Sequence, residues 1–593
     1  MQFLNNLRIA LSLLWQSAPY ALCLTIASNL LVSVIPTLLL YFNAQLIERL
    51  SSNMAAAMVM SLLLPYLLLS GFQDSLSLIS NFSVDTLRDA VHIQLKHRVN
   101  SMIATFPNLR IHENPALRET AILASRAGEA VGNLLLSLYI VSSRIIMLVP
   151  LLLLLGQTRW WVPLFLLAGM LPVLIIRAGA ERKSWNVQEN HAATFNQLRL
   201  LERVLTQAEF AKDLRIYRMQ TQLLAQWQQL FQRYQDQVHK VRMHNAIKLL
   251  TASSLASICL GIPLYTVITG FQQGQFGIAQ LALLLGGLVQ MNDSLGIIIY
   301  NYGELMRQSH SVKPFGRLLT LFEENTQAAQ AVKNKHTCPA DDSLLVLEHT
   351  GFSYDNCADS VLDDINLSIR HGEVIAIVGD NGAGKSTLLK LLSGFYQPTR
   401  GCLRWNDSNK PPRVIGVFQD FARFPLSTSE NLALHDPLRG AECLSALGLS
   451  FLIDKMAVPL SAEVHGGIDL SGGQWQRLAI ARAMAHADEA DLLLFDEPTS
   501  ALDPETEAGI MHRILQLSRQ KTAVIASHRL ALTRFVDRIV VLHQGKIVEQ
   551  GSHEVLMALK GKYARMFLHQ ARFYQDKMTD ADSLADPASD TLE

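Results

Sequence analysis

The run VIAIVGDNGAGKSTLLKLLSG occupies residues 374–394. Six residues of strand character lead into a glycine-rich loop, and a leucine-rich helical segment follows it. The loop fits G-x-x-x-x-G-K-[ST] in the strand–loop–helix setting that makes the pattern a phosphate cradle. Gly379, Asn381, Gly382, Ala383 and Gly384 supply a backbone that can close on a phosphate through its N–H groups. Lys385 adds a point charge, and Ser386 and Thr387 open the helix where its dipole favours an anion. The Ser386 hydroxyl is also suited to ligate Mg²⁺.

Around this stretch, from residue 346 onward, short β-rich runs (LLVLEH, VIAIVG, VIGVF, DLLLFD, TAVIAS, RIVVLH) alternate with helical segments. That alternation predicts an α/β domain with a largely parallel core sheet. DLLLFDEP, Asp491–Pro498, reads as a buried strand ending in two adjacent carboxylates. Asp496 is expected in a Mg²⁺ shell, and Glu497 is placed to polarise an attacking water. A second glycine-rich turn, EVHGGIDLSGGQWQR at 463–477, raises the question of why one chain carries two cradles.

The first half is of another kind. The chain is 593 residues long and 49% hydrophobic with only 17% charged residues, so a membrane part is expected. Apolar stretches near 18–45, 55–80, 129–156, 160–178, 247–271 and 276–303 approach the roughly 20 residues that cross a bilayer, which predicts six spanning helices. Residues 86–127 hold six Lys or Arg and 177–248 hold twelve, whereas the three short loops on the other side hold Arg49 and Arg159. Retention of positive charge then puts both termini and the α/β domain in the cytoplasm. Segments 81–127 and 179–246 keep helical periodicity with polar faces, so helices are expected to run well past the bilayer. Asp74, Arg144, Asp293 and Glu304 lie in the spanning helices, where ionisable groups face a cavity or a partner. Either Arg144 pairs with Asp74 or Asp293, or it meets a carboxylate on a transported molecule.

Lys+Arg and Asp+Glu both number 51, giving no charge excess that would point to nucleic acid. Six scattered cysteines without a CxxC pair suggest neither a disulfide framework nor a zinc site and read as buried thiols. The N-terminal segment lacks a small-residue cleavage site, so a removed signal peptide is not expected. ENTQAAQAVKNKHTCPADDS sits in a polar linker at 321–345, and the acidic end at 573–593 reads as a disordered tail. The domains are thus expected at 1–320 (membrane), 321–345 (linker) and 346–572 (nucleotide-binding).

These motifs together resemble the ABC transporters of the exporter type, in the half-transporter arrangement of one membrane domain fused to one nucleotide-binding domain. LSGGQ at Leu470–Gln474 matches the family signature, DEPTSALD continues into a D-loop at Ser500, Ala501, Leu502 and Asp503, and Ser527–His528 matches the switch histidine. Gln419 in VFQDF matches the Q-loop and Tyr354 in GFSYD the aromatic that stacks on adenine. FPNLRIHENPALRE (Phe106–Glu119) and EFAKDLRIYRM (Glu209–Met219) resemble the two coupling helices.

The resemblance implies ATP and Mg²⁺ as cofactors, with Ser386, Gln419 and Asp496 at the metal, and Glu497 and His528 as catalytic residues. It implies a dimer with a second copy or a similar half-transporter, in which Ser471, Gly472, Gly473 and Gln474 cap the ATP held by the partner, so two cradles mean two chains. The complete set of motifs favours the homodimer. The expected setting is a bacterial-type inner membrane, with lipid around the helices. The expected activity is ATP-driven export of a peptide or of a hydrophobic or amphipathic small molecule. Lipid flipping, import of a siderophore-like compound and ATP-gated conduction remain as alternatives. The segment before the signature departs from the family's TEVGExG-like sequence, and His465 stands where an inner Glu is common.

Overall fold

The computed structural model describes residues 12, 15–52, 56–158, 160–190, 192–275, 277–333, 343–354, 359–405, 412–433, 436–499 and 504–571. The chain forms two units, one of residues 1–105 and 116–322, the other of residues 106–115 and 323–593.

The first unit is helical. Six long helices, Pro19–Ser51, Ala56–Ala104, Ala127–Thr158, Trp161–Asn190, Gln220–Gln272 and Ile278–Ser311, cover the six apolar stretches. Among the described residues, five of them have the length and apolarity to cross a membrane. The exception corrects the expected count of six spans: the apolar part of the fourth helix is confined to Trp161–Arg177. Arg177 ends it, with its guanidinium 5.3 Å from the centre of the Tyr300 ring, and Glu181, Arg182 and Lys183 follow. The second helix, at 49 residues, is about 74 Å long, more than twice the roughly 30 Å hydrocarbon layer.

Polar side chains join the first three long helices. Thr25 meets Ser83 at 2.7 Å, Ser28 donates to Ser80 at 3.1 Å, Asn29 donates to Ser142 at 2.9 Å and Ser33 meets Ser143 at 2.9 Å. Small hydroxyl residues let helices approach and supply cross-helix bonds worth about 0.6 kcal/mol each. Hydropathy alone cannot reveal this stripe, because Ser and Thr hardly interrupt an apolar average.

In the second unit, strands β1 (Ser343–Phe352), β2 (Leu362–Arg370) and β4 (Arg400–Trp405) form an antiparallel sheet in the order β2-β1-β4. Strands β3 (Val374–Gly379), β5 (Val414–Val417), β6 (Leu492–Asp496), β7 (Ala523–Ala526), β8 (Arg538–His543) and β9 (Lys546–Gly551) form the other sheet, ordered β5-β6-β7-β3-β8-β9. Its pairings are parallel except β8 with β9. Every residue of β3, β6 and β7 is buried, as expected of parallel strands covered on both faces. LLVLEH therefore belongs to β1 of the antiparallel sheet and not to the parallel core. The helix Lys313–Lys333 continues through the first part of the segment read as a linker, and the remaining linker positions 334–342 and the tail 573–593 lie outside the described residues.

Candidate nucleotide site

The site forms where the parallel strands end. Gly379 at the end of β3 pairs with Leu542, and Asp496 at the end of β6 pairs with Ala526 at the end of β7. The residues that follow each strand, the loop 380–384, Glu497 and Ser527–His528, are thereby brought to one edge, the usual ligand crevice of an open α/β sheet. Gln419 arrives from the end of β5, whose Val417 pairs with Phe495. One cleft is lined by Asn381, Gly382, Gly384, Lys385, Ser386, Thr387, Gln419, Glu497 and His528, together with Val361.

The loop is shaped by its glycines. Gly382 and Gly384 hold φ of 79° and 101°, a region that costs other residues about 1–2 kcal/mol. Lys385, 6% exposed, donates from Nζ to the carbonyls of Gly379 at 3.0 Å and Asp380 at 3.2 Å. Its ammonium is thus held at the mouth of the loop by acceptors that a phosphate can replace. Asp380 is ion-paired with Lys562, which holds its carboxyl below the usual range.

Asp496 is 3% exposed, and burial pushes its carboxyl above the usual range against the opposing hydrogen bond from Ser386. Its Oδ1 is buried with no hydrogen-bond partner among the described residues. A buried, unsatisfied carboxylate oxygen beside a hydroxyl is the donor set that a hard cation completes, so Asp496 and Ser386 fit Mg²⁺, and Gln419 stands exposed in the same cleft.

Glu497 carries φ of 49°, a left-handed conformation that a non-glycine residue adopts only where its surroundings enforce it. Its amide donates to Ala526 O at 3.0 Å, and Gln476 Nε2 reaches its carbonyl at 3.5 Å. His528 Nδ1 stands 3.4 Å from Glu497 Oε1. The pair is asymmetric in exposure, His528 at 46% and Glu497 at 15% by side chain, so the imidazole faces the cleft mouth and the carboxylate its floor.

The structure does not bring Tyr354 into this cleft. Its ring packs edge-on against Phe352 and Tyr396, with centroids 5.0 and 5.7 Å away, and its hydroxyl lies 3.2 Å from that of Thr387. It lines a second cavity with Arg110 and Glu113. The 106–115 segment holds a short helix, Arg110–Glu113, with Ile111 buried; Glu113 accepts from the Tyr396 hydroxyl and lies 3.3 Å from Lys390 Nζ. The other expected coupling segment forms the turn Ala208–Phe210 and the helix Ala211–Ile216 within the first unit.

The signature motif opens a helix. Ser471 is the N-cap of Gly472–Ala485, and Gln474 is its third residue. Gln474 N donates to Ser471 Oγ at 3.3 Å and Ser471 N to Gln474 Oε1 at 2.8 Å, a reciprocal capping box. Trp475 is 3% exposed and belongs to the core. The expected D-loop residues Ser500, Ala501, Leu502 and Asp503 lie outside the described residues.

Of the polar residues in the membrane helices, the structure joins Arg144 and Asp293, Nη1 to Oδ2 at 3.7 Å. Glu304 is bound by Arg307 and Gln308 instead, and Asp74 is exposed on its helix. Cys23 is also exposed, against the reading of every cysteine as buried; Cys443 is buried and Cys402 intermediate.

Residues 362–500 match the family model described as ABC transporter. The subtilin transport ATP-binding protein SpaT of Bacillus subtilis is 26% identical over 586 residues, 91% of this chain and 90% of that protein. The nisin transport ATP-binding protein NisT of Lactococcus lactis subsp. lactis is 28% identical over 71% of this chain and 69% of its own length. The leukotoxin translocation ATP-binding protein LktB of Mannheimia haemolytica is 36% identical, over 49% of this chain and 42% of that protein. A bacterial Atm1-family ABC exporter solved with ATP bound superposes with a TM-score of 0.76 at 18% identity, covering 94% of this chain and 98% of that one. The chain thus carries an ABC transporter domain over residues 362–500, is similar along most of its length to transport ATP-binding proteins, and shares the fold of an ABC exporter.

Proposed function

We propose that this chain exports a peptide, as a homodimer in the bacterial inner membrane with both termini and the nucleotide-binding domain in the cytoplasm. The observation that carries the ATP-driven part is the convergence of Lys385, Ser386, Gln419, Glu497 and His528 on one cleft. Peptide as cargo is supported by the relatives named for subtilin, nisin and leukotoxin transport.

In this reading Lys385 releases the Gly379 and Asp380 carbonyls to bind the phosphates of ATP. Asp496, Ser386 and Gln419 would hold Mg²⁺, which supplies charge neutralisation at the phosphates. Glu497 takes the proton of a water as its oxygen attacks the γ-phosphorus and the bond to ADP breaks, while His528 hydrogen-bonds the γ-phosphate from the cleft mouth. The partner's copy of Ser471, Gly472, Gly473 and Gln474 closes over that ATP, with Ser500 to Asp503 of the D-loop alongside. Two ATP molecules then clamp the two nucleotide-binding domains together, and the segments 106–119 and 209–219 carry the movement to an inward-open cavity.

The test is reconstitution of the purified protein in lipid vesicles, with ATPase stimulation and direct flux measured for peptides, amphipathic drugs, fluorescent lipids and metal chelates. ATP-dependent peptide movement that stops in Glu497→Gln supports the proposal. Flux of lipid or chelate without peptide flux, or flux that persists when hydrolysis is blocked, overturns it.

A further inference from the structure

The His528 loop is held from outside the motifs. The helix over residues 562–571 lies against the segment Leu530–Phe535 that follows His528. Tyr563, fully buried, meets the Thr533 hydroxyl at 2.5 Å, and the Arg534 guanidinium lies 5.1 Å from the centre of the Phe567 ring. These contacts dock the helix. Gln570 then makes two bonds at once: its Oε1 accepts from the Leu530 amide at 2.8 Å, and its Nε2 donates to the His528 carbonyl at 3.3 Å. Two turns earlier, Lys562 Nζ meets Asp380 Oδ2 of the phosphate loop at 2.5 Å and His543 Nδ1 at 2.6 Å. One helix therefore touches both the loop that receives the phosphates and the loop that carries the histidine.

We propose that Gln570 is a positioning residue for hydrolysis, fixing the main chain of His528 so that its imidazole stays against Glu497 at the γ-phosphate end of the cleft. The physical ground is that an amide side chain satisfying one donor and one acceptor on the same loop removes both sliding and rotation of that loop. A single packing contact would leave the rotation free. Because Gln570, among the described residues, touches none that lines the phosphate end of the cleft except through the His528 backbone, its effect falls on turnover and not on nucleotide affinity. The inference rests on the reading of His528 as the γ-phosphate contact.

The test uses the full-length protein in lipid and compares Gln570→Met, which keeps the volume and loses both bonds, with Gln570→Glu, which keeps the acceptor for Leu530 N–H and loses the donor to His528. The expected result is a fall in kcat of about fivefold in both, from the hydrogen bond to the His528 carbonyl that both variants lose, with KM for ATP and the melting temperature unchanged. Full activity in Gln570→Glu overturns the assignment to His528. So does a loss in either variant that falls equally on nucleotide affinity or follows a lowered melting temperature. His528→Ala separates the two readings. If it hydrolyses ATP normally, the role given to His528 fails; if it is inactive while both Gln570 variants turn over normally, only this inference fails.

Discussion

Gln476 of the signature helix, 2% exposed, reaches the carbonyl of Glu497, the residue whose φ is 49°. The signature helix is thus tied within one chain to the end of β6, bracing the left-handed residue that follows that strand. A side chain held so narrowly is aimed and not merely present. Glu497→Gln preserves shape and hydrogen bonding while removing the base, so it should retain ATP binding and lose about a hundredfold or more of hydrolysis. Radiolabelled phosphate release together with nucleotide affinity checks this, and turnover within tenfold of the parent would show that another group accepts the proton.

Gly379 is required by contact and not by dihedral. A Cβ there would lie 2.3 Å from the Leu542 carbonyl oxygen on the paired strand, where neither backbone can retreat. Gly379→Ala is therefore expected to cost about 1–3 kcal/mol of overpacking and to open β3 from β8. Gly382→Ala meets no atom within 4 Å and should pay only for its φ of 79°. Thermal unfolding of both variants should rank Gly379→Ala as the less stable, and equal midpoints would refute the steric account.

Ser471 has one duty that the structure shows and one that the proposed dimer assigns, and substitution can separate them. Within its own chain it caps the signature helix, and losing that cap should cost about 1 kcal/mol. In the dimer it would face the partner's ATP. Co-expressed chains bearing Lys385→Ala and Ser471→Arg should assemble one intact site from the sound halves and regain part of the ATPase activity, while either variant alone stays low. No recovery in a mixed dimer verified by differential tags would rule out the head-to-tail homodimer.

How far the sequence alone reached depended on what each residue's role requires. The convergence of Lys385, Ser386, Gln419, Glu497 and His528 was legible because the phosphate chemistry expected of them fixes residue type and spacing, and the strand ends of β3, β5, β6 and β7 deliver them to one cleft. β2 was missed because LDDINLSIR alternates buried and exposed positions and so lacks the apolar run that marks a core strand. Tyr354 was legible only as a residue type: no spacing rule registers that its ring packs edge-on with Phe352 and Tyr396 or that its hydroxyl lies 3.2 Å from that of Thr387. Gln570 gave no signal at all: its importance lies in reaching a loop more than forty residues earlier.

His553 supplies a pH test of the contacts behind the His528 loop. Its Nδ1 lies 2.7 Å from the Tyr563 hydroxyl; burial first, then the Arg534 charge, lowers its pKa, with Glu554 opposing. A histidine depressed in the fold binds protons more readily when unfolded, so the stability it contributes is full above its ordinary pKa of about 6.5 and is lost as pH falls toward the folded value. The melting temperature should accordingly drop from about pH 6.5 downward, with a shallower drop in His553→Asn. Identical slopes in the two proteins would remove His553 from the account.

Arg144 and Asp293 decide between a structural pair and a cargo contact. At 3.7 Å they form an ion pair, and among the described residues Arg144 forms none with Asp74 or Glu304. Removing one charge leaves the other unpartnered at bilayer depth, where an ionised group is costly. Arg144→Gln and Asp293→Asn should each lower the yield of folded protein and the transport rate. The double variant, with neither charge, should recover both toward the parent. If the pair is structural, recovery is the same for anionic and neutral cargo. Recovery restricted to neutral cargo would instead assign Arg144 to recognition of a carboxylate on the transported molecule, and would mean that the salt bridge is given up when cargo binds.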